Sequence, residues 1–236
     1  MSITLGYLII GLMCFVVLYY SVQLWREQRN ALSLLILIPL VFLWIDNISI
    51  AGGRYIGEGP LLNGITYILY FWHCQMLPLL MIVAGMLLRR GGFAFAQNKF
   101  VMGAFCVVAV YFMYLDVPYI LDVEFYPACY GDTFRLALSV SSDQVCAPGD
   151  SPIKGISVAP IPAISVSLAI MITGILLWIR HGFYWLALTS IFMFIAAGLQ
   201  QAPGFYYGPL LGNFGEPIFN AGLIAAGYRF GNVETA

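Results

Sequence analysis

Asp46, His73 and Glu216 are the residues of this sequence best equipped for proton chemistry, and each lies in or beside a long apolar run. Ionisable groups in such surroundings are costly, and an unpaired one marks a functional site by default. Asp46 and Asn47 interrupt VFLWIDNISI at 41–50, His73 and Gln75 interrupt ITYILYFWHCQMLPLL at 65–80, and Glu216 sits in GEPIFN at 215–220. Two acids are an expensive way to glue helices together, so Asp46 and Glu216 point to general acid–base work. Proton donation near neutral pH needs a carboxyl kept in its acid form, which an apolar bundle provides. His73 is balanced between that role and a satisfied core histidine.

Around these three stand candidate binding groups: Asn47, Arg54, Tyr70, Asp116 and Asn220. Asn63, Thr66, Tyr67, Tyr70, His73 and Cys74 recur at three- and four-residue spacing, which puts them on one helical face. That stripe also serves as interhelical hydrogen-bond glue, the reading preferred for Asn63, Thr66 and the tyrosines. Arg54 has Glu58 four residues on and is read first as a surface ion pair. The sharper reading is an anion-binding mouth built with the Gly52-Gly53 and Gly57/Gly59 backbone. At about 1.5 Å per residue, Asp46 lies roughly 9 Å and His73 roughly 16 Å below the end of their helices that carries the long loop. Asp116 matches Asp46 in depth, Glu216 enters from the same end, and Gln200 and Gln201 close their helix there. The polar groups therefore share one half of the membrane, as a pocket opening outward requires.

The elements that must position them are membrane helices. The 236 residues are 61% hydrophobic and 9% charged, with mean hydropathy +0.90. A soluble domain carries about 25% charged residues, so most of this surface faces lipid. Seven apolar segments, 4–25, 31–52, 62–88, 100–121, 160–179, 183–201 and 207–228, are each long enough to span. The fold class is all-α, a single polytopic membrane domain over 1–236. The first segment has no basic lead and no small-residue cleavage site, and reads as a retained helix rather than a signal peptide.

Seven basic residues (Arg26, Arg29, Arg89, Arg90, Lys99, Arg180, Arg229) fall at one set of helix ends, and Arg54, Arg135 and Lys154 at the other. The asymmetry places the N-terminus outside and the C-terminus in the cytoplasm. The loop 122–159 then lies outside, and its Cys129 and Cys146 are expected to form a disulfide. Cys14, Cys74 and Cys106 fall within spans and read as small packing residues. Ile50-Ala51-Gly52-Gly53 with Gly59-Pro60-Leu61-Leu62 is echoed by Ile195-Ala196-Ala197-Gly198 with Gly208-Pro209-Leu210-Leu211. The echo predicts a 3+1+3 parallel repeat, an arrangement known in transporters.

Several chemistries fall away. Lys99 and Lys154 are both in loops, so no retinal Schiff base is available inside the bundle. His73 and His181 lie at opposite depths, which excludes bis-histidine haem. No hydrolase, metalloprotease, phosphate-loop or dinucleotide motif occurs. A formal net charge of −1 excludes nucleic acid as a partner. A metal held by His73 with Asp46, Asp116 or Glu216 stays open, Mg or Mn suiting an oxygen-rich set. The residues identify no cofactor.

Trp44-Ile45-Asp46-Asn47 followed by a glycine hairpin resembles the Trp-Asp-Asn and Gly-x-Trp signature of the integral-membrane lycopene cyclase domain. Gly215-Glu216-Pro217-Ile218-Phe219 is similar to that domain's Pro-x-Glu-Glu…Phe-Phe segment. Here Ile45 is inserted into the first motif, and Glu216 precedes its proline without a second Glu. The resemblance implies a repeated three-helix unit and catalytic roles for Asp46 and Glu216. Three functions follow as expectations. The first is an enzyme acting by acid catalysis on an apolar lipid or isoprenoid. The second is a binder, carrier or transporter of a small solute or proton. The third is a structural or pigment-associated subunit of a membrane complex. Membrane lipid is a partner in all three.

Overall fold

The computed structural model describes residues 2–147, 149–155, 161–200 and 205–232. Helix α1 (Ile3–Gln28) begins at Ser2, whose hydroxyl accepts from the Leu5 amide, and ends at Arg29 in the left-handed region (φ 46°). The run 31–52 forms two helices, α2 (Ala31–Leu40) and α3 (Leu43–Ile56), and 62–88 forms α4 (Pro60–Met76) and α5 (Leu79–Arg90). Hydropathy alone predicts each run as one unbroken helix. Pro39 and Pro78 break them, since each ring removes an amide and crowds the preceding turn. Trp72 binds one broken helix to the other: its Nε1 donates to the Ile38 carbonyl (3.1 Å), and its ring meets Phe42 edge-on. A short α6 (Ala94–Gln97) leads into α7 (Lys99–Leu121), and α8 (Ile161–His181), α9 (Trp185–Gln200) and α10 (Gly208–Phe230) complete the bundle. Gln201 lies outside the described residues.

The loop 122–159 is not free of regular structure, a departure from a purely helical chain. Strands β1 (Tyr126–Tyr130) and β2 (Thr133–Ala137) pair antiparallel about Gly131-Asp132, with Gly131 at φ 59°. A Gly-Asp turn between two aromatic-rich runs is a hairpin signal that a purely helical reading overlooks. Cys129 and Cys146 stand at disulfide distance, Cα–Cα 4.9 Å.

The two ends of the bundle differ. At one, Gln28 and Asn30 donate to the carbonyls of Gly227 and Gly231 (both 3.0 Å), and Arg90 also donates to Gly231. His181 Nε2 meets the Gly91 carbonyl at 2.8 Å, and Arg180 lies over the Phe93 ring. All seven basic residues of the larger group are here, so we call this the arginine end. The main core, which includes Leu32, Ile36, Leu40, Val83, Leu87, Leu177 and Leu223, is continuous with it. There α2, α5, α8 and α10 pack together. At the opposite, hairpin end, α3 packs on α1, α4 and β2. Among the described residues, α3 and α4 make no comparable packing with α8, α9 or α10. The arginine end is closed, whereas the hairpin end is splayed on the side of α4, which stands apart from α8, α9 and α10 while α1 packs on both α3 and α10.

Five helical segments are long and apolar enough to cross a membrane: Ile3–Gln28, Ala31–Ile56, Pro60–Arg90, Lys99–Leu121 and Ile161–His181. Helix α9 is apolar but has 16 residues. Helix α10 has 23 residues and is largely buried, packing on α1, α2, α5 and α9, so it has little need of an apolar outer face. Its Gly212, Gly215 and Gly222 let the backbone approach Gln200, Met193 and Thr189 of α9.

Candidate functional site

The site is built where α1, α3 and α10 meet beneath the hairpin. Residues Ile3, Tyr7, Ile10 and Cys14 form one buried face of α1. Asn47 of α3 is fully buried; its Nδ2 donates to the Leu43 carbonyl (3.1 Å) and approaches Cys14 Sγ (3.8 Å). From α10, Asn213 Nδ2 donates to Asn47 Oδ1 (3.1 Å), tying α3 to α10. This polar seam holds the two acids in one region. Glu216 lies within charge–charge range of Asp46, and Tyr7 and Cys14 are within range of both.

The hairpin supplies a cation. Arg135 of β2, paired with Ala128, lies within charge range of Asp46 and Tyr7. Its approach depends on a close contact: a Cβ on Gly53 of α3 would collide with the Phe134 carbonyl, so only glycine lets β2 settle there. The other edge is pinned to α1. Ser2 Oγ and the Thr4 amide donate to the Asp132 carboxylate, and Thr4 Oγ1 donates to the Asp132 carbonyl (3.2 Å). The Ser2 hydrogen bond, first of all, holds the Asp132 carboxyl well down, at about 2; burial opposes it, and the hydrogen bonds from Thr4 add to it. Tyr130 donates to the Tyr206 carbonyl, and burial pushes its phenol up.

Three polar atoms in this region, Tyr7 Oη, Arg135 Nε and Glu216 Oε2, are buried without a hydrogen-bond partner among the described residues. Buried polar groups are nearly always paired, so such a cluster needs a chemical account.

The other predicted residues are distributed as follows. His73 shares the inward face of α4 with buried Leu62 and Leu69, eleven and four residues earlier, yet is itself exposed. It therefore borders open space in the splayed half, one turn above the Pro78 break, and no charge contact joins it to either acid. Asp116 is buried between α4 and α7, in charge range of Tyr70 and Cys74, forming a second polar group. Asn220 turns back to its own helix, donating to the Glu216 carbonyl (2.9 Å). Exposed Arg54 donates to the Gly131 carbonyl (3.5 Å), and Gly53, taken up by the Phe134 contact, is not a free edge for an anion. Among the described residues, no three His, Cys, Asp or Glu side chains come together as a metal-ligand set.

Tyr7, Arg135 and Asn213 are members of the site that sequence reasoning missed. Tyr7 shares the periodicity of its buried neighbours. Arg135 is the lone charge of TFRLA, a signal only if the loop is read as a hairpin.

No known protein family, no curated protein and no solved structure matches the chain.

Proposed function

We propose that Asp46 and Glu216 form the working acid pair of an intramembrane site open toward the hairpin end, and that the protein is an enzyme acting on an apolar lipid or isoprenoid by acid catalysis. The observation that carries this reading is that carboxyls from α3 and α10 lie within charge range of each other, with Glu216 Oε2 buried and unpartnered among the described residues. The two stretches that resemble the lycopene cyclase domain supply both acids. Glu216 gives its proton to one carbon of a double bond: its O–H breaks, a C–H forms from the π pair, and the neighbouring carbon becomes cationic. The Asp46 carboxylate takes a proton from an adjacent carbon, whose C–H pair re-forms a double bond. Arg135, within charge range of Asp46, supplies the positive charge that would balance the carboxylate acting as base.

In this reading α9 and α10 complete seven spans, the hairpin end faces outside, and the arginine end faces the cytoplasm. The matching Gly59-Pro60 and Gly208-Pro209 helix starts support a 3+1+3 repeat, although the proline breaks at 39 and 78 belong to the first half.

The test is isotopic. Full-length protein in liposomes made from isoprenoid-rich lipid extract, incubated in D2O, should transfer deuterium to a lipid carbon, and Glu216→Gln should abolish the transfer. Absence of label in wild type defeats the enzyme reading. A specific observation favours a second one: closed and splayed ends, with two broken helices, are the layout of an outward-open carrier. Solute uptake into the same liposomes, lost in Glu216→Gln and without lipid labelling, would establish it.

A further inference from the structure

Resting on the acid-pair reading, we infer that the ligand of this site is an apolar chain ending in a neutral oxygen, a ketone or an alcohol, held by Tyr7 and Arg135. Tyr7 is fully buried on α1, wedged edge-on beneath Tyr130, and its hydroxyl has no partner among the described residues. Arg135 reaches the same region from β2, and its Nε–H is equally buried and unpartnered among them. Both are donors, and neither makes a hydrogen bond to an acceptor among the described residues. Donors converging in a water-poor place recognise an acceptor oxygen.

The charges choose among acceptors. Asp46 and Glu216 face the same region, so a carboxylate or phosphate would meet at least one like charge at close quarters. A ketone, ester or hydroxyl oxygen satisfies both donors without that repulsion. A pure hydrocarbon leaves both unpaired, and a site built on buried donors rejects an analogue lacking the acceptor. With the oxygen on Tyr7 and Arg135, Glu216 is left free toward the chain. In this inference the chain runs out toward lipid on the side where α4 makes no comparable packing with α10 among the described residues and His73 is exposed.

The probes are a matched farnesyl series: farnesylacetone, farnesol, farnesene and farnesoic acid. Each is titrated against the full chain in phosphatidylcholine nanodiscs. Ketone and alcohol should bind at least tenfold more tightly than hydrocarbon or acid. Tyr7→Phe and Arg135→Met should each shrink that preference about fivefold, the worth of one hydrogen bond. The infrared C=O stretch of bound ketone should lie below its value in lipid and move back up in Tyr7→Phe. That reading needs only the isosteric variant, should Arg135→Met fail to fold. Equal binding of the hydrocarbon, preference for the acid, or an unshifted C=O band overturns the inference. If deuterium transfer persists while the ketone preference is absent, only this inference fails. If Glu216→Gln leaves transfer intact, the acid-pair reading itself fails.

Discussion

At the scale of single residues, the decisive feature is that the polar groups of the seam have different duties. Asn47 and Asn213 are bonded to each other and tie α3 to α10; Asp46 and Glu216, on the same two helices, carry the titratable protons. Replacing Asn213 by Leu should cost about 1 kcal/mol of stability, as interhelical hydrogen bonds in membranes do, read as a lower midpoint of thermal unfolding in detergent. Asp46→Asn and Glu216→Gln keep shape and lose the titratable proton. Each should cut the deuterium transfer by a factor of about 10² or more, while size-exclusion profiles stay those of the wild type. Asp132 has a pH signature of its own. Its folded value, about 2, lies below the ordinary 3.8, so its stabilisation is fully present above pH 3.8 and is lost as pH falls toward 2. The gap in melting temperature between wild type and Asp132→Asn should accordingly be constant from pH 7 to 5 and close on further acidification.

Elements explain why those residues meet. The hairpin is fastened three ways: Asp132 to α1, Gly53 under Phe134, and Cys129 beside Cys146. Gly53→Val removes the second. The new side chain would displace β2 and carry Arg135 off the acids, at a cost of about 1–3 kcal/mol typical of overpacking. Its signature is faster proteolytic cleavage in 126–137 with the helical circular dichroism unchanged. A Cys129–Cys146 disulfide would stabilise by about 3 kcal/mol in the chain-entropy model. Non-reducing mass spectrometry should find the two peptides linked, and finding both freely alkylated would remove that fastening. The proline breaks act on helix direction. They let α2 and α5 join the packed arginine end while α4 stands apart from α8, α9 and α10 above it.

On the scale of the whole molecule, the closed arginine end and splayed hairpin end predict a vectorial site. Reporter fusions after Arg29, Lys99, Arg180 and Arg229 should report cytoplasm, and one at Ser141 the opposite side. A cytoplasmic signal at Ser141 would invert the site and take the outward-opening reading with it.

Hydropathy, helix length and the clustering of basic residues are properties of the chain taken one segment at a time. Together with the two cysteines of the loop they sufficed to mark a helical protein with several apolar spans and the Cys129–Cys146 pair. Pro39 and Pro78 were visible as letters, but whether a proline kinks or ends a membrane helix depends on the neighbours that pack at the break, here Trp72, which donates to the Ile38 carbonyl. The site's remaining members depended on the rotation of each helix about its axis and on where the loop returned. Tyr7 is one apolar-face residue among several until α3 and α10 close around α1. Arg135 is one loop charge until Gly53 lets β2 sit on α3. His73, central by depth, borders open space apart from the acids because α4 leans away from α10. Depth follows from counting along one helix, whereas facing and distance are set by all its neighbours together, and only the tertiary structure decided those.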